Sequence, residues 1–460
     1  MKTKKQHYKT NKQRKLKTKK YKYKQKYKEE KKEKEKYKAK YEEAKIRETQ
    51  KFTKKESEKY TKNVKKRPKS VRLSKEEIIK KINKSLKCDF LTLDMNIKKI
   101  GEGVSNYVVS GCIGDNNIID KDIKCKNKVA FRIMGISTHY PNDDQHPVTY
   151  EILLYEKTNK LVDQDITPHI IYLYRSMVCD YEDVLGKYEQ SITYRIKDEI
   201  RKDNISEKIN IIMLEFADLG TINDFIKNKI KKLIQFKVLF FQVMSMLVTT
   251  QYHIPNFIHG DIHNNNIVIK KELFGYNLEE LSSGPKKYIR YRLFEKDFYI
   301  PWTGFSAKVF DFDLSRCDEL KNHKMNENYV KINGITEEYN PVFDYHLFLN
   351  SLFYDKDHSS YPNIPEKVFD FYKEQIPEIY RGFKSDYLGF ARLTNYTQTN
   401  DIDDTNLIPK DISSPAEVLL NNSFFDVFRE KPKDGKIIYD YNSKIPHESK
   451  IKDRKDIFNI

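Results

Sequence analysis

The sequence predicts an α+β protein of two segregated lobes, and three observations carry that reading. Segments with strand-like alternation, broken by glycines, begin near residue 95. Long apolar segments with helical periodicity begin near residue 217. Strands followed by helices, rather than alternating with them, are the order of an α+β architecture. A chain of 460 residues has room for two or three lobes with sizeable cores.

Residues 1–70 stand apart. They hold 31 of the 86 Lys and Arg but only 9 of the 67 Asp and Glu, a net +22, against −3 for the other 390 residues. Such a segment buries too little apolar surface to offset chain entropy, so disorder is expected, with residues 27–60 able to form at most a solvated helix. It reads as a solubilising or localisation tail, or as a binder of nucleic acid or an acidic partner through counterion release. Tyr21, Tyr23, Tyr27 and Tyr37 could stack on bases or be low-complexity filler.

Residues 71–94 read as a linker or short helix. The stretch 96–113 reads as a hairpin with a glycine-rich turn, and 127–136 as a strand. In 149–162 the period is helical, with Ile152, Leu153, Tyr155 and Leu161 available for one face. "NIIMLEF" (210–216) reads as a buried strand that closes a strand-rich lobe over 95–216, and the helical lobe runs over 217–460. Its apolar run "VLFFQVMSMLV" (238–248) is too short to span a bilayer and reads as a buried helix. An insertion at about 271–306 ends in an aromatic, hairpin-like run expected beside the active site, and 413–430 reads as a capping helix.

Five cysteines (Cys88, Cys112, Cys125, Cys179, Cys317) lie far apart, so no zinc spacing or disulfide framework is expected. With no secretory h-region at the N-terminus, a soluble, intracellular protein is expected.

"FIHGDIHNNNIVIK" (257–270) concentrates possible chemistry. His259, Asp261 and His263 suit a metal site, the catalytic loop of a phosphotransferase, or a polar turn. Order and spacing separate these readings. A glycine-rich hairpin precedes "VAFRIM", a helix with acidic residues, a strand ending "LEF", the "HGDIHNNN" loop and, past the insertion, "AKVFDFDLSR" (307–316). Over roughly residues 95–350 this series resembles the eukaryotic-type protein kinase superfamily, in the divergent form found in giant DNA viruses.

The resemblance implies a bilobal kinase fold that transfers the γ-phosphate of ATP with Mg²⁺, or Mn²⁺, to a serine or threonine hydroxyl. It implies that Gly101 and Gly103 let backbone amides close over the phosphates, with Asn106 where a third glycine usually stands. Val108 and Ala130 would roof the adenine pocket and Val268 floor it. Glu215 and Ala217 would supply backbone hinge hydrogen bonds, with Leu214 as gatekeeper. Arg132 stands in place of the phosphate-binding lysine, with Glu151 as its acidic partner and Glu156 as the alternative. Asp261 would be the base, Asn266 and Asp311 the metal ligands, and His259 a packing residue near Phe312.

Departures from the pattern are equally specific. Gly260 replaces the arginine that reads loop phosphorylation, and His263 replaces the lysine that contacts the γ-phosphate. Asp313 replaces the glycine of D-F-G, either limiting inactive-state flipping or standing as a surface acid. The segment after Arg316 lacks A-P-E, while Asp344 resembles the aspartate that anchors the catalytic loop. Three readings compete: an active Ser/Thr protein kinase acting as a monomer on an unidentified protein substrate, a pseudokinase or scaffold with a nucleic-acid- or acidic-partner-binding tail, and a small-molecule phosphotransferase. Host cytoplasm, virion or nucleus is the expected location.

Overall fold

The computed structural model describes residues 74–85, 98–102, 106–113, 127–139, 146–184, 198–202, 204–272, 287–325, 339–353, 364–381 and 412–450, together with residues 88 and 196. The lysine-rich tail lies outside them.

A five-stranded antiparallel sheet forms the first lobe. Its strands are β1 (Lys98–Glu102), β2 (Asn106–Cys112), β3 (Lys128–Ser137), β4 (Leu173–Asp180) and β5 (Ile205–Glu215), in the order β1-β2-β3-β5-β4. Helix α1 (Lys75–Ser85) precedes β1, α2 (Pro147–Asp163) joins β3 to β4, and the short α3 (Tyr181–Val184) follows β4. Strand alternation divides this sheet cleanly. Tyr107, Val109, Phe131, Ile133, Ile211 and Met213 bury one face with Ile78 and Ile82 of α1. Val108, Ala130, Ile212 and Leu214 turn to the other face and join the core of the helical lobe. In α2 the expected face needs one correction. Leu154, Tyr155 and Leu161 are buried, but Leu153 is 43% exposed; the inward stripe runs Glu151, Leu154, Tyr155, Thr158, Leu161 at three- and four-residue steps.

Disulfide chemistry also departs from the sequence expectation. Cys88 and Cys179, 91 residues apart, are bonded, tying the segment after α1 to β4. Linear spacing says nothing about Cα atoms that the fold brings to 5.5 Å. Buried Cys317 is a free thiol.

The second lobe is built on α4 (Ile222–Asn228), α5 (Leu233–His253), α6 (Phe343–Phe353), α7 (Glu366–Gln375), α8 (Pro415–Asn421) and α9 (Asp426–Arg429). Helix α5 is long and apolar enough to cross a membrane by length and composition, yet 83% of its apolar window is buried inside the protein. Strands β6 (Ile267–Lys271) and β9 (Phe305–Val309) pair antiparallel and frame the catalytic loop. Within the insertion, β7 (Lys287–Leu293) and β8 (Lys296–Pro301) form the expected hairpin, and β10 (Lys436–Asn442) adds to β7 in parallel. The hairpin's core side packs on α5 through Tyr291 and Phe298 against Phe241, so it braces the lobe behind the cleft. The run 413–430 supplies α8, capped by Ser414 with Glu417 reaching back, and α9.

Candidate active site

The catalytic loop hangs from one buried carboxylate. Asp344, in the first turn of α6, accepts the backbone N–H groups of His259 (2.7 Å) and Gly260 (2.9 Å). Burial raises its pKa, against the pull of His259 and of those two N–H groups. Gly260 is at φ +78°, and a Cβ there would lie 2.4 Å from the Leu314 carbonyl oxygen. Glycine at this position is therefore a steric requirement of how the loop meets the "DFD" segment, as well as the loss of an arginine.

His259 uses both ring nitrogens. Nε2 donates to the Phe310 carbonyl (3.0 Å) and Nδ1 accepts from the Asp261 N–H (3.3 Å), while burial lowers its pKa and keeps the ring neutral. It packs on Phe312, whose ring meets Tyr155 of α2 edge-on at 4.8 Å. A chain of contacts thus runs from Asp344 of α6 through the loop to α2, and both His259 ring nitrogens are committed within it.

Asp261 and Asn266 face one another. The Asn266 amide nitrogen donates to the Asp261 carbonyl (2.9 Å) and carboxylate (3.0 Å), which turns its Oδ1 outward as a hard oxygen donor. His263 Nε2 lies 3.5 Å from Asp261 Oδ2. Asp311 sits at φ +70°, ψ +70°, a left-handed conformation that costs a non-glycine residue about 1–3 kcal/mol. Its N–H donates to the Tyr155 hydroxyl at 3.0 Å, and its carboxylate accepts Arg132 at 2.7 Å.

Arg132 is the junction of the two lobes. Its NH1 reaches Glu151 at 2.5 Å and Asp311 at 2.7 Å, so strand β3, helix α2 and the "DFD" segment converge on one buried guanidinium. Glu156, the alternative partner, is on the exposed side of α2. Burial opposes ionisation of Arg132, but Asp311 and Glu151 outweigh it and raise its pKa. Burial pushes Glu151 up to about 8 in spite of Arg132, with Asp311 and Asp313 adding to the push.

Around this junction the remaining positions fall in register. Val108 is opposite Arg132, and Ala130 is opposite Leu214. Gly101 pairs with Val108, while Gly103 lies outside the described residues. Val268 is on β6 opposite Lys308, and Ala217 is half-buried in the link from β5 to α4.

Two features escaped the motif reading. The Glu215 carboxylate is buried between Lys270 and Lys308, the latter at 3.1 Å. Burial works against its charge, yet the two ammonium groups hold its pKa down to about 2. Alternation on β6 and β9 would have shown that both lysines share a face. Asp313 carries an ion pair to Lys324 at 2.5 Å; an extra carboxylate in the "DFD" segment is itself a signal to look for a nearby cation.

A family model described as poxvirus serine/threonine protein kinase matches residues 140–386, just over half of the chain. The chain belongs to this family. It is a protein kinase. The matched span holds Glu151, the catalytic loop and the "DFD" segment, whereas Arg132 and the glycine hairpin precede it. Two proteins of Acanthamoeba polyphaga mimivirus whose names read serine/threonine-protein kinase are similar to this kinase. One is 25% identical over 361 residues, covering 74% of this chain and 71% of the relative. The other is 24% identical over 407 residues, covering 76% and 95%.

Proposed function

We propose that this kinase is catalytically active and transfers the γ-phosphate of ATP, with Mg²⁺ or Mn²⁺, to a serine or threonine hydroxyl of a protein. The observation that carries this reading is the convergence on Arg132 of Glu151 and Asp311. A cation paired with a helical acid beside the "DFD" carboxylate is the arrangement that phosphoryl transfer uses, and it supports an active enzyme.

The donor set fits a hard divalent cation: the Asn266 amide oxygen and the Asp311 carboxylate would hold it. When bound, it neutralises charge on the triphosphate. The chain's own residues do the rest. Arg132 binds phosphate oxygens through its fork while Glu151 fixes its direction. Asp261, whose Oδ2 is oriented by the Asn266 amide, accepts the proton of the attacking hydroxyl. His263, beside Asp261, donates to the transferring phosphoryl group. Gly101 and Gly103 close over the nucleotide, Val108, Ala130 and Val268 line the base, Leu214 is the gatekeeper, and the backbone of Glu215 and Ala217 forms the hinge.

Radiolabelled ATP with the purified kinase and a mixed protein substrate tests this. Transfer that requires a divalent cation and disappears in Asp311→Ala and Asp261→Asn is expected. No transfer and no ATP-dependent thermal shift would favour the scaffold reading, and transfer confined to small alcohols would favour a small-molecule phosphotransferase.

The lysine-rich residues 1–70 are proposed to bind nucleic acid or an acidic partner, with steep salt dependence. Deleting them should abolish that binding and leave ATP turnover intact. A monomer acting in the host cytoplasm, nucleus or virion completes the proposal.

A further inference from the structure

The start of the activation segment carries a set of contacts that the scheme above leaves unused. Asp313 follows Phe312 in a single 3₁₀ turn. Its carboxylate receives the Lys324 ammonium at 2.5 Å, from a residue eleven positions further on. The buried Asn322 side chain donates to the carbonyl oxygens of Asp313 (2.9 Å) and Ser315 (2.8 Å), and its Oδ1 accepts the Lys324 N–H at 3.1 Å. One asparagine therefore binds both the turn and the residue that supplies the cation.

Charge gives this clasp its consequence. Among the described residues, Arg132 contacts the carboxyl groups of Glu151 and Asp311, and Lys324 contacts that of Asp313. Among the described residues, Arg132 also acts electrostatically on Asp313, and it already holds two carboxyl groups. Without Lys324, Asp313 would pull on the guanidinium or repel Asp311, one residue beyond Phe312 and in a strained backbone conformation.

We propose that Lys324 is a positioning residue for phosphoryl transfer: by holding Asp313 it keeps Asp311 and Arg132 free of a competing carboxylate and fixes the start of the activation segment. This deepens the ATP-dependent reading above and rests on it for its kinetic part.

The test combines kinetics with hydrogen exchange on the full-length kinase. Lys324→Met should lower kcat about tenfold while the KM for ATP moves less than about twofold, because the lost contact acts on geometry at the reacting centre. Lys324→Arg should restore most of the rate. Adding Asp313→Asn to Lys324→Met should recover much of the loss, since the uncompensated carboxylate is gone. In nucleotide-free protein, amide exchange over 313–325 should quicken in Lys324→Met and return to normal in Lys324→Arg. An unchanged kcat, a loss seen only in KM, or a loss that Asp313→Asn does not relieve would overturn the positioning role. Unchanged exchange would overturn the clasp itself, with or without turnover. If the wild type transfers no phosphate from ATP, the preceding reading has failed, and exchange still decides whether Lys324 holds the segment.

Discussion

Around Phe241 the helical lobe is packed with rings: Tyr291 and Phe298 at 5.3 Å, Phe428 at 5.7 Å and Phe425 at 6.3 Å. Around Arg132, equally buried, the neighbours are carboxylates. The ring cluster gains from burial in every direction, so no one contact decides its stability. In the cleft, each charge is tolerable only because another sits beside it. Stability is thus concentrated behind the cleft, where the insertion and the C-terminal strand β10 close over α5. Function is concentrated where removing one group leaves two others uncompensated.

The sharpest way to break that contrast is to truncate each region in turn. Phe241→Ala should cost roughly 3–5 kcal/mol, read as a lower urea midpoint, because a large fully buried ring leaves a cavity. Asp261→Asn should leave the midpoint near that of the wild type and remove phosphate transfer. An Asp261→Asn protein as unstable as Phe241→Ala would end the division of labour.

Next in size comes Arg132→Met. It leaves Glu151 and Asp311 facing one another without their cation and should cost about 3 kcal/mol. Combining it with Glu151→Gln should return part of that stability but none of the activity. Recovery of activity in the double variant would mean that Arg132 acts only as a structural counter-ion.

The two regions meet at His169, just before β4. Its Nδ1 donates to the Ala307 carbonyl at 3.0 Å, and its Nε2 accepts from the Tyr291 hydroxyl at 2.9 Å, so the insertion plugs the back of the cleft. Tyr291→Phe leaves that nitrogen without its donor and should cost about 1–2 kcal/mol. Burial lowers the His169 pKa from 6.5 to about 3, and that of His346 to about 4. Both are depressed, so their contribution is present above pH 6.5. It is lost as pH falls below 6.5, because the unfolded chain then binds the protons, by up to ~1.4 kcal/mol per pH unit for each histidine. A urea midpoint that stays flat from pH 7 to pH 5 would contradict the buried neutral assignment.

How much of this was legible in the sequence differs between the same two regions. The cleft's local motifs were readable because phosphoryl transfer restricts residue type and spacing: Asp261 and Asn266 lie five apart on one loop, and Glu151 precedes Leu154 and Tyr155 on one helical face. What connects distant segments was not. Nothing in the composition of 413–460 marks β10 as the partner of β7, or Cys179 as the partner of Cys88, since both pairings depend on how intervening elements pack. Leu153 misled for a related reason: helical periodicity gives the stripe but leaves its edge to the neighbouring lobe. Lys324 lies in a segment without a motif, and its pairing with Asp313 depends on how that segment folds back.

The smallest expected effect tests whether ionic control extends beyond the cleft. Helix α1 is held to the first lobe by buried Ile78 and Ile82, by the Cys88–Cys179 bond next to it, and by Lys75, which pairs with Asp163 at the end of α2 and lies 4.4 Å above the Tyr172 ring. Because the apolar contacts and the covalent tie remain, Lys75→Ala should cost only about 0.5–1 kcal/mol, as for a partly exposed pair. Its kcat should match the wild type, since Glu151 is three turns up the helix and is held by Arg132 rather than by α1. A kcat that fell while the urea midpoint held would show that α1 steers α2, placing a second ionic control point on the outside of the first lobe.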